Sequence, residues 1–372
     1  MKITLSLIKA DIGSIGGHTQ PSQLMLDTVE KLARKAVTDG LLIDVFVSYT
    51  GDDIAILMSH TKGENNADVH QFAWDAFIEG TKVAKSQGLY GAGQDLLVDA
   101  PSGNVRGAGP AVAEIEFDHS LESPRPAESF MVFAADKCGP GAYNLPLFLA
   151  FADPMYCGGL MLPQMIKGFS FDVIDMDNTE GDSILKLDAP DDYYGITALL
   201  RDNERFGIDS IYSRTFEHKA ASISAQRLHS IAGTYTGKDD PVALIRNQGI
   251  FPAPEEILSA FTKAHYVGGD SRGSHVMPLM PVPLNTAVTG PYCLPLVSAV
   301  GFSLNSDGYF SHSFVDFFDN PVWDEVRRLA QIKGLEMRSQ GWSGPAMLPY
   351  TELEYGGFRD TVEGLLSSFK FQ

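Results

Sequence analysis

The chain has 372 residues, of which 44% are hydrophobic and 20% are charged, and its formal net charge at pH 7 is −19. This composition is typical of one large or two ordinary globular domains and excludes an intrinsically disordered chain. The acidic balance argues against a nucleic-acid-binding protein, so any phosphate ligand requires metal ions or a few local lysines and arginines.

The first 87 residues predict the order β-α-β-β-α. Alternation of apolar residues indicates the strands, and apolar residues at helical spacing, followed by Gly40 or Gly88, indicate the helices. The strands are predicted over 2–11, 41–49 and 54–60, and the helices over 22–38 and 67–87.

Beyond residue 110 the pattern favours strands with helices between them. Strand-like segments cover 111–117, 129–135, 147–152 and 168–175, and a short helix followed by a strand is predicted within 189–214. Asp240 as N-cap, Pro241 and Gly249 predict a helix over 241–247. Further helices are predicted over 252–267 and 320–341. Because the chain shows no repeat and no low-complexity linker, we expect a single catalytic α/β domain over 1–372.

The cysteines and the N-terminal segment indicate the cellular compartment in which the protein is expected. Cys138, Cys157 and Cys293 are widely spaced and odd in number, which predicts neither a disulfide framework nor a CxxC zinc site. The apolar run at the N-terminus is too short for a signal peptide, and no apolar stretch reaches the roughly 20 residues of a membrane span. We therefore expect a cytoplasmic protein that contacts neither membranes nor nucleic acids.

Polar residues at the end of the first strand and in the following turns form the first candidate site. Asp11 ends the first strand, and a right-handed crossover places the turn that holds Asp52 and Asp53 at the same edge of the sheet. Carboxylates at one edge repel each other unless a cation lies between them, and this oxygen-rich set, with His18, favours Mg²⁺. Ordinary turn chemistry is the alternative.

Glycine-rich loops after the second helix form another candidate. The segments LYGAGQDL and PSGNVRG contain Tyr90, Gln94, Gly103 and Asn104, and their backbone N–H groups are suited to a phosphate. A plain surface loop is the alternative. Neither segment is a Walker-type phosphate loop.

The segment GTYTGKDDP places a lysine beside two aspartates. A lysine that forms an imine must be neutral, and Asp239 and Asp240 would raise the pKa of Lys238, whereas nearby metal cations would lower it. Tyr235 is suited to proton exchange with a substrate hydroxyl. The alternative is that Asp240 only caps a helix and Lys238 is solvated.

Further polar residues end a strand or lie in glycine-rich loops. Asp136 and Lys137 end an apolar strand, where a metal ligand with a phosphate contact and a simple ion pair are both open interpretations. Arg272 is suited to a bidentate phosphate contact. Gln248 and Tyr355 carry weaker signals, since isolated polar residues in loops are common.

Taken together, the motifs IKADIGSIGGHTQPS, SYTGDDIAILMSH, YGAGQDLL, FAADKCGPGAYNLPL, GTYTGKDDPVALIRNQGIFPAPEE and LEYGG resemble those of one enzyme family. This is the bifunctional fructose-1,6-bisphosphate aldolase/phosphatase family of archaea and some deep-branching bacteria. The resemblance covers about residues 2–357. It implies a layered α-β-β-α sandwich that assembles as a homo-octamer.

The resemblance also implies an activity and a set of site residues. The family condenses dihydroxyacetone phosphate with glyceraldehyde 3-phosphate and then removes the 1-phosphate to give fructose 6-phosphate, using several Mg²⁺ ions in one gluconeogenic site. It implies that Lys238 forms the Schiff base, that Tyr235 transfers protons in the aldolase step and that Asp11 activates water. The implied metal ligands are Asp11, His18, Asp52, Asp53, Gln94, Asp136, Asp239 and Asp240. The implied substrate contacts are His18, Tyr90, Gly103, Asn104, Lys137, Gln248, Arg272 and Tyr355.

One segment departs from the family pattern. The family is expected to have an acidic sugar contact near TGPYCLPLVSA, but no acid occurs between Asp270 and Asp307. The contact is therefore missing, displaced or replaced near Cys293.

The neighbouring lysine and aspartates suggest a site that rearranges. In this hypothesis Lys238 forms the imine first, and the loop then moves so that Asp239 and Asp240 bind metal, with Gly233 and Gly237 supplying backbone freedom. One rival interpretation is a Mg²⁺-dependent sugar phosphatase without aldolase activity. Another is a non-catalytic sugar-phosphate sensor, which would need neither an imine nor a base.

Overall fold

The computed structural model describes residues 1–96, 109–119, 127–178, 183–224, 238–263, 265–269, 275–290, 294–339 and 356–371. Within these ranges no helix is long and apolar enough to cross a membrane. The α-helices are α1 (Gln23–Thr38), α2 (Ala67–Gln87), α3 (Asn144–Ala152), α4 (Tyr193–Leu200), α5 (Pro254–Ser259), α6 (Val322–Ser339) and α7 (Gly356–Leu366).

The strands begin and end as follows. They are β1 (Lys2–Asp11), β2 (Asp44–Thr50), β3 (Asp53–His60), β4 (Ala111–Asp118), β5 (Ala127–Asp136), β6 (Phe169–Asp175), β7 (Ser183–Ala189), β8 (Phe206–Ser213), β9 (Lys219–Ile223), β10 (Val242–Asn247), β11 (Tyr266–Gly269), β12 (His275–Pro278), β13 (Met280–Pro281), β14 (Leu296–Asn305), β15 (Val315–Asp316) and β16 (Lys370–Phe371).

The N-terminal half contributes a four-stranded sheet with the order β2-β3-β1-β4. β3 runs antiparallel to both β1 and β2, so β2 runs parallel to β1 as the crossover predicts. α1 and α2 pack on one face of this sheet. The Ser22 side chain caps α1 and the Asn66 side chain caps α2, and Gly88 ends α2 in a left-handed conformation.

The second sheet contains ten strands. Its main path is β13-β14-β5-β10-β9-β8-β6-β7-β16, and β15 pairs with β14. The central strands β14, β5 and β10 are antiparallel neighbours, with Leu296 opposite Asp136 and Val242 opposite Ala134. β5 and β10 therefore end and begin at one edge of the sheet, beside each other.

Alternation along β1 shows how the layers stack. Ile8, Ala10 and Ile12 face α1 and α2, whereas Leu5 and Leu7 belong to a core between the two sheets. The far face of the second sheet packs on α3, α4 and α5. This α-β-β-α arrangement confirms the predicted α/β class and its layered form.

Two predicted elements are wrong. Residues 147–152, predicted as a strand, belong to α3, in which Pro146 to Ala152 are all buried. Residues 241–247, predicted as a helix, contain β10, whose residues are also all buried. A segment that is buried on every side shows no amphipathic period. Only its length and flanking residues then distinguish a helix from a strand, and here they indicated the wrong element. Asp240 has a φ of 52°, which is not the conformation of a helix N-cap.

A buried hydrogen-bond network fixes the register of the first sheet. Glu114 accepts hydrogen bonds from Ser6 Oγ and from His70 Nε2, the latter at 3.0 Å. His60 Nε2 lies 2.8 Å from Ser6 Oγ, and the backbone N–H of Lys62 donates to His60 Nδ1 at 3.2 Å. This pattern assigns the ring proton of neutral His60 to Nε2, which donates to Ser6.

Burial lowers the pKa of His60 to about 4 in the folded protein, below the ordinary histidine value of 6.5. The unfolded chain therefore binds this proton first, and His60 destabilises the fold as pH falls from 6.5 to 4, by about 3 kcal/mol. We predict that the free energy of unfolding of the wild type, measured by urea titration in EDTA, falls by that amount more than that of His60→Gln over this interval. The control His312→Gln removes an exposed histidine, so its free energy of unfolding should depend on pH as that of the wild type does. The same pH dependence of the free energy of unfolding in the wild type and in His60→Gln would contradict the prediction.

Candidate active site

Strand alternation brings carboxylates into the gap between the two sheets. The inter-sheet core contains Leu5 and Leu7 of β1, Ala55 and Leu57 of β3, Val132 and Ala134 of β5, and Val242 and Leu244 of β10. Asp53, Asp136 and Asp240 lie two residues beyond these apolar side chains, and Asp11 lies four residues beyond Leu7, with Lys9 between them. The apolar layer therefore gives way to an acidic one where these strands end or begin.

The acidic layer contains two groups of side chains suited to metal ions. One ligand atom each from Asp11, His18 and Asp52 lies within 4.8 Å of the others, and the same holds for Asp52, Asp53 and Asp136. Asp52 belongs to both groups, so two cations held there would be neighbours that share its carboxylate. A donor set of oxygens with one imidazole fits a hard divalent cation such as Mg²⁺.

A tight turn places Asp52 against Asp136. Gly51 has a φ of 59°, and a Cβ at this position would overlap Oδ2 of Asp136. The backbone N–H of Asp52 donates to that same oxygen at 3.3 Å. Only glycine combines the left-handed conformation with this close approach.

Three buried lysines balance part of the acidic charge. Lys9 Nζ contacts Asp53, and Lys137 Nζ contacts Asp52 and lies 2.9 Å from Asp136 Oδ1. Lys238 Nζ is the third. It lies 3.7 Å from Oδ2 of Asp95 and is 3% exposed.

Burial and like charges raise the pKa of two of the carboxyl groups, whose ionised forms a bound cation would stabilise. Burial raises the pKa of Asp11 well above its usual range, and Asp52 and Asp53 add to the shift. Burial likewise raises the pKa of Asp240 to about 7. Burial would also raise the pKa of Asp52, but Lys137 and His18 hold it below its usual range. Asp52 is therefore the stably ionised carboxylate shared by both groups.

The lysine at the centre of the site is held as an ammonium. Burial acts to lower the pKa of Lys238, but Asp95 first, and then Asp240 and Asp239, outweigh burial and raise this pKa above its usual range. The sequence-based expectation for Asp239 and Asp240 is confirmed in direction, and the largest contribution comes from Asp95.

Asp240 is tied to the end of β5. Its Oδ1 accepts the backbone N–H of Cys138 at 2.8 Å, and its own backbone N–H donates to the Cys138 carbonyl at 2.8 Å. Asp240 and Lys137 both have positive φ, 52° and 62°. Such conformations in residues with a Cβ persist only where surrounding contacts hold them, and they are common at functional sites.

The loop side of the site contains His18, Tyr90 and Gln94. His18 Nδ1 lies 3.2 Å from Asp52 Oδ2, and its ring packs edge-on against Tyr90 with 4.8 Å between ring centroids. Gln94 begins a 3₁₀ turn (Gln94–Leu96) that follows Gly93, whose N–H donates to the carbonyl of Ile12 at 3.1 Å. The turn therefore packs on the end of β1.

The structure does not bring every candidate together. Gln248 is exposed and follows the last residue of β10, whereas Asp240 precedes the first, so the strand separates them by roughly 20 Å. Five predicted site residues lie outside the described ranges: Gly103, Asn104, Tyr235, Arg272 and Tyr355. The expected hinge glycines Gly233 and Gly237 also lie outside them, as does Cys293 in the segment that departs from the family pattern.

Two site residues were missed by sequence reasoning. Lys9 is two residues before Asp11 and therefore shares its face of β1, a signal visible in IKAD. Asp95 directly follows Gln94, but a lone aspartate in a glycine-rich loop carries no specific signal. Only the docking of the turn on β1 shows where Asp95 points.

Comparisons with known proteins match this chain to proteins of similar description over nearly its whole length. The family described as fructose-1,6-bisphosphatase matches residues 2–370. A Thermus thermophilus protein named fructose-1,6-bisphosphate aldolase/phosphatase is 54% identical, covering 99% of this chain and 100% of the relative. Proteins of the same name are 47% identical in Cenarchaeum symbiosum, covering 98% of this chain and 94% of the relative, and 41% identical in Methanothermobacter marburgensis, covering 100% and 99%.

The turn at Gly51 supplies a sharp test of the acidic site. Alanine at Gly51 or at Gly40 forces a residue with a Cβ into the left-handed region, but only at Gly51 does the Cβ meet Asp136, whereas Gly40 has no atom within 4 Å. We predict that Gly40→Ala loses about 1 kcal/mol of stability from backbone strain and that Gly51→Ala loses more, because Asp136 must also shift. Gly51→Ala should in addition bind Mg²⁺ at least tenfold more weakly in calorimetric titration. Equal Mg²⁺ affinities in the two variants would contradict the assigned site.

Proposed function

The chain belongs to the fructose-1,6-bisphosphatase family, and we propose that it is a bifunctional gluconeogenic fructose-1,6-bisphosphate aldolase/phosphatase, both a lyase and a hydrolase. Its substrates would be dihydroxyacetone phosphate and glyceraldehyde 3-phosphate, and its product fructose 6-phosphate. One observation carries the proposal: the buried amine of Lys238 is attracted by Asp53, and Asp53 belongs to a candidate metal-ligand group with Asp52 and Asp136. An amine for imine chemistry and a candidate cation site for phosphate chemistry therefore lie among shared carboxylates.

In the aldolase step Lys238 would be the nucleophile. Its neutral amine adds to C2 of dihydroxyacetone phosphate, and loss of water gives the iminium. Removal of a proton from C3 gives an enamine, which adds to the aldehyde carbon of glyceraldehyde 3-phosphate, and hydrolysis returns the amine. Tyr235, outside the described residues, is proposed to exchange the protons.

In the phosphatase step the end of β1 would supply the base. Asp11 would take a proton from the water that attacks the 1-phosphate. The buried Lys137 would contact the phosphoryl oxygens, which are the kind of partner that Asp52 and Asp136 now provide. Tyr90, with Gly103 and Asn104, is proposed to hold the phosphate from the loop side.

The residues present fit Mg²⁺. Asp11, His18, Asp52, Asp53 and Asp136 would hold the ions, with Gln94, Asp239 and Asp240 as further proposed ligands. When bound, the ions would neutralise phosphoryl charge and acidify a water molecule. The carboxylates that keep Lys238 protonated overlap with these ligands, so the same residues govern both chemistries.

The structure favours a particular version of the proposed rearrangement. Lys238 is buried in the site, while Asp240 is fixed by its paired hydrogen bonds with Cys138. We infer that the moving part of the loop, which withdraws Lys238 and brings in Asp239, ends before Asp240. Asp240 then remains in place in both steps.

Assembly and location complete the proposal. The whole chain would act as one catalytic unit in a homo-octamer. Because Gln248 is exposed far from the acidic layer of its own chain, we propose that it contacts substrate bound to a second copy. Arg272 and Tyr355 are proposed as further substrate contacts. The free thiols of Cys138 and Cys157 support a cytoplasmic location.

Borohydride trapping tests the aldolase half directly. Dihydroxyacetone phosphate followed by borohydride should add the mass of the reduced adduct at Lys238, and the Lys238→Ala variant should lose aldolase activity while it retains part of the phosphatase activity. Asp239→Ala should chiefly lose phosphatase activity. Absence of an adduct in the wild type, with phosphate release intact, would reduce the protein to a sugar phosphatase. If both variants, still folded, lost both activities equally, the proposed rearrangement would be wrong.

Complementation between two variants tests the position of Gln248. Gln248→Ala and Lys238→Ala should each lower aldolase activity, whereas their co-expressed mixture should recover part of it, because a Lys238 site can then meet an intact Gln248 of another copy. Gln23→Ala changes another glutamine, on α1, and serves as the control. A mixture no more active than the average of the separate variants would show that Gln248 does not act between copies.

A further inference from the structure

Asp95 connects the end of β1 with the reactive lysine. Its Oδ2 accepts the backbone N–H of Asp11 at 2.9 Å, and the same atom lies 3.7 Å from Nζ of Lys238. Asp95 is 5% exposed and lies in the 3₁₀ turn that the Gly93 N–H attaches to β1. Its position is therefore set by the backbone and not by a substrate.

A buried lysine among several carboxylates needs a defined partner if its amine is to be oriented. Lys238 experiences attraction from Asp95, Asp240, Asp239 and Asp53, in that order. If its amine paired with a metal-ligand carboxylate, it would compete with cations and be poorly oriented for a carbonyl. Asp95 offers a fixed carboxylate outside both metal-ligand groups.

We propose that Asp95 is the positioning residue of the aldolase step, which holds the amine of Lys238 for attack on the carbonyl carbon. The inference rests on the proposed function. Asp95 acts through Lys238 and need not touch substrate. The hydrogen bond from the backbone N–H of Asp11 keeps the Asp95 carboxylate in place. It does so whether Lys238 is paired with Asp95, has formed an imine or has moved away.

Three variants separate the two contacts of Asp95. Asp95→Asn keeps an oxygen that can accept the Asp11 N–H but removes the charge opposite Lys238, and Asp95→Ala removes both. Asp175→Asn is the matched control, because it removes a buried carboxylate from an ion pair with Arg205, 2.9 Å away and outside the site. The measurements are the rate of borohydride trapping at Lys238, kcat and KM for both activities, and Mg²⁺ affinity.

Loss of the Asp95 charge lowers the pKa of Lys238, which by itself would speed imine formation, so slower trapping reports the loss of positioning. We expect Asp95→Asn to slow trapping and aldolase kcat at least tenfold more than phosphatase kcat, with Mg²⁺ affinity within threefold of wild type. Asp95→Ala should lower both activities, and Asp175→Asn should change neither trapping nor the ratio of activities. Equal losses of both activities in Asp95→Asn, or an unchanged trapping rate, would overturn the inference. If the wild type itself forms no adduct, the proposed aldolase function fails, which the wild-type control reveals separately.

Discussion

Mutual repulsion among buried carboxylates is the constraint on which this structure depends. Strand alternation places Asp11, Asp53 and Asp136 on the inter-sheet faces, and Asp240 lies just before β10. Burial raises the pKa of Asp11, Asp136 and Asp240 and so disfavours their charge. Lysines compensate for part of this charge, and the remainder is suited to cations. The left-handed turn at Gly51 is needed because two of the acidic segments approach within contact of each other.

The same constraint bears on how one site would accommodate the two proposed chemistries. Lys238 lies in a set of carboxylates that hold it as an ammonium, and several of them are candidate metal ligands. In the proposed function, imine formation and phosphate hydrolysis would therefore be coupled through the charge of shared residues and would not need separate pockets. The paired hydrogen bonds between Asp240 and Cys138 keep one end of the lysine segment in place, so any rearrangement has a defined limit.

How much the sequence predicts depends on how each element is buried. The helix over 67–87 is confirmed because Asn66, Gly88 and a clear apolar stripe mark it, whereas α3 and β10 are buried all round and show no period. The acidic turn and the lysine were recognised from local spacing and family motifs. Asp95 was missed because its role depends on docking against β1. The separation of Gln248 from Asp240 follows from β10 being a strand, which the local signals misassigned.

The most direct test follows inorganic phosphate and fructose 6-phosphate together in pure protein given dihydroxyacetone phosphate, glyceraldehyde 3-phosphate and Mg²⁺. The account predicts equal amounts of both products from trioses alone, and neither product after EDTA treatment. Phosphate release only when fructose 1,6-bisphosphate is supplied would contradict it, and would leave Lys238 as an ion-pair partner in a metal-dependent phosphatase.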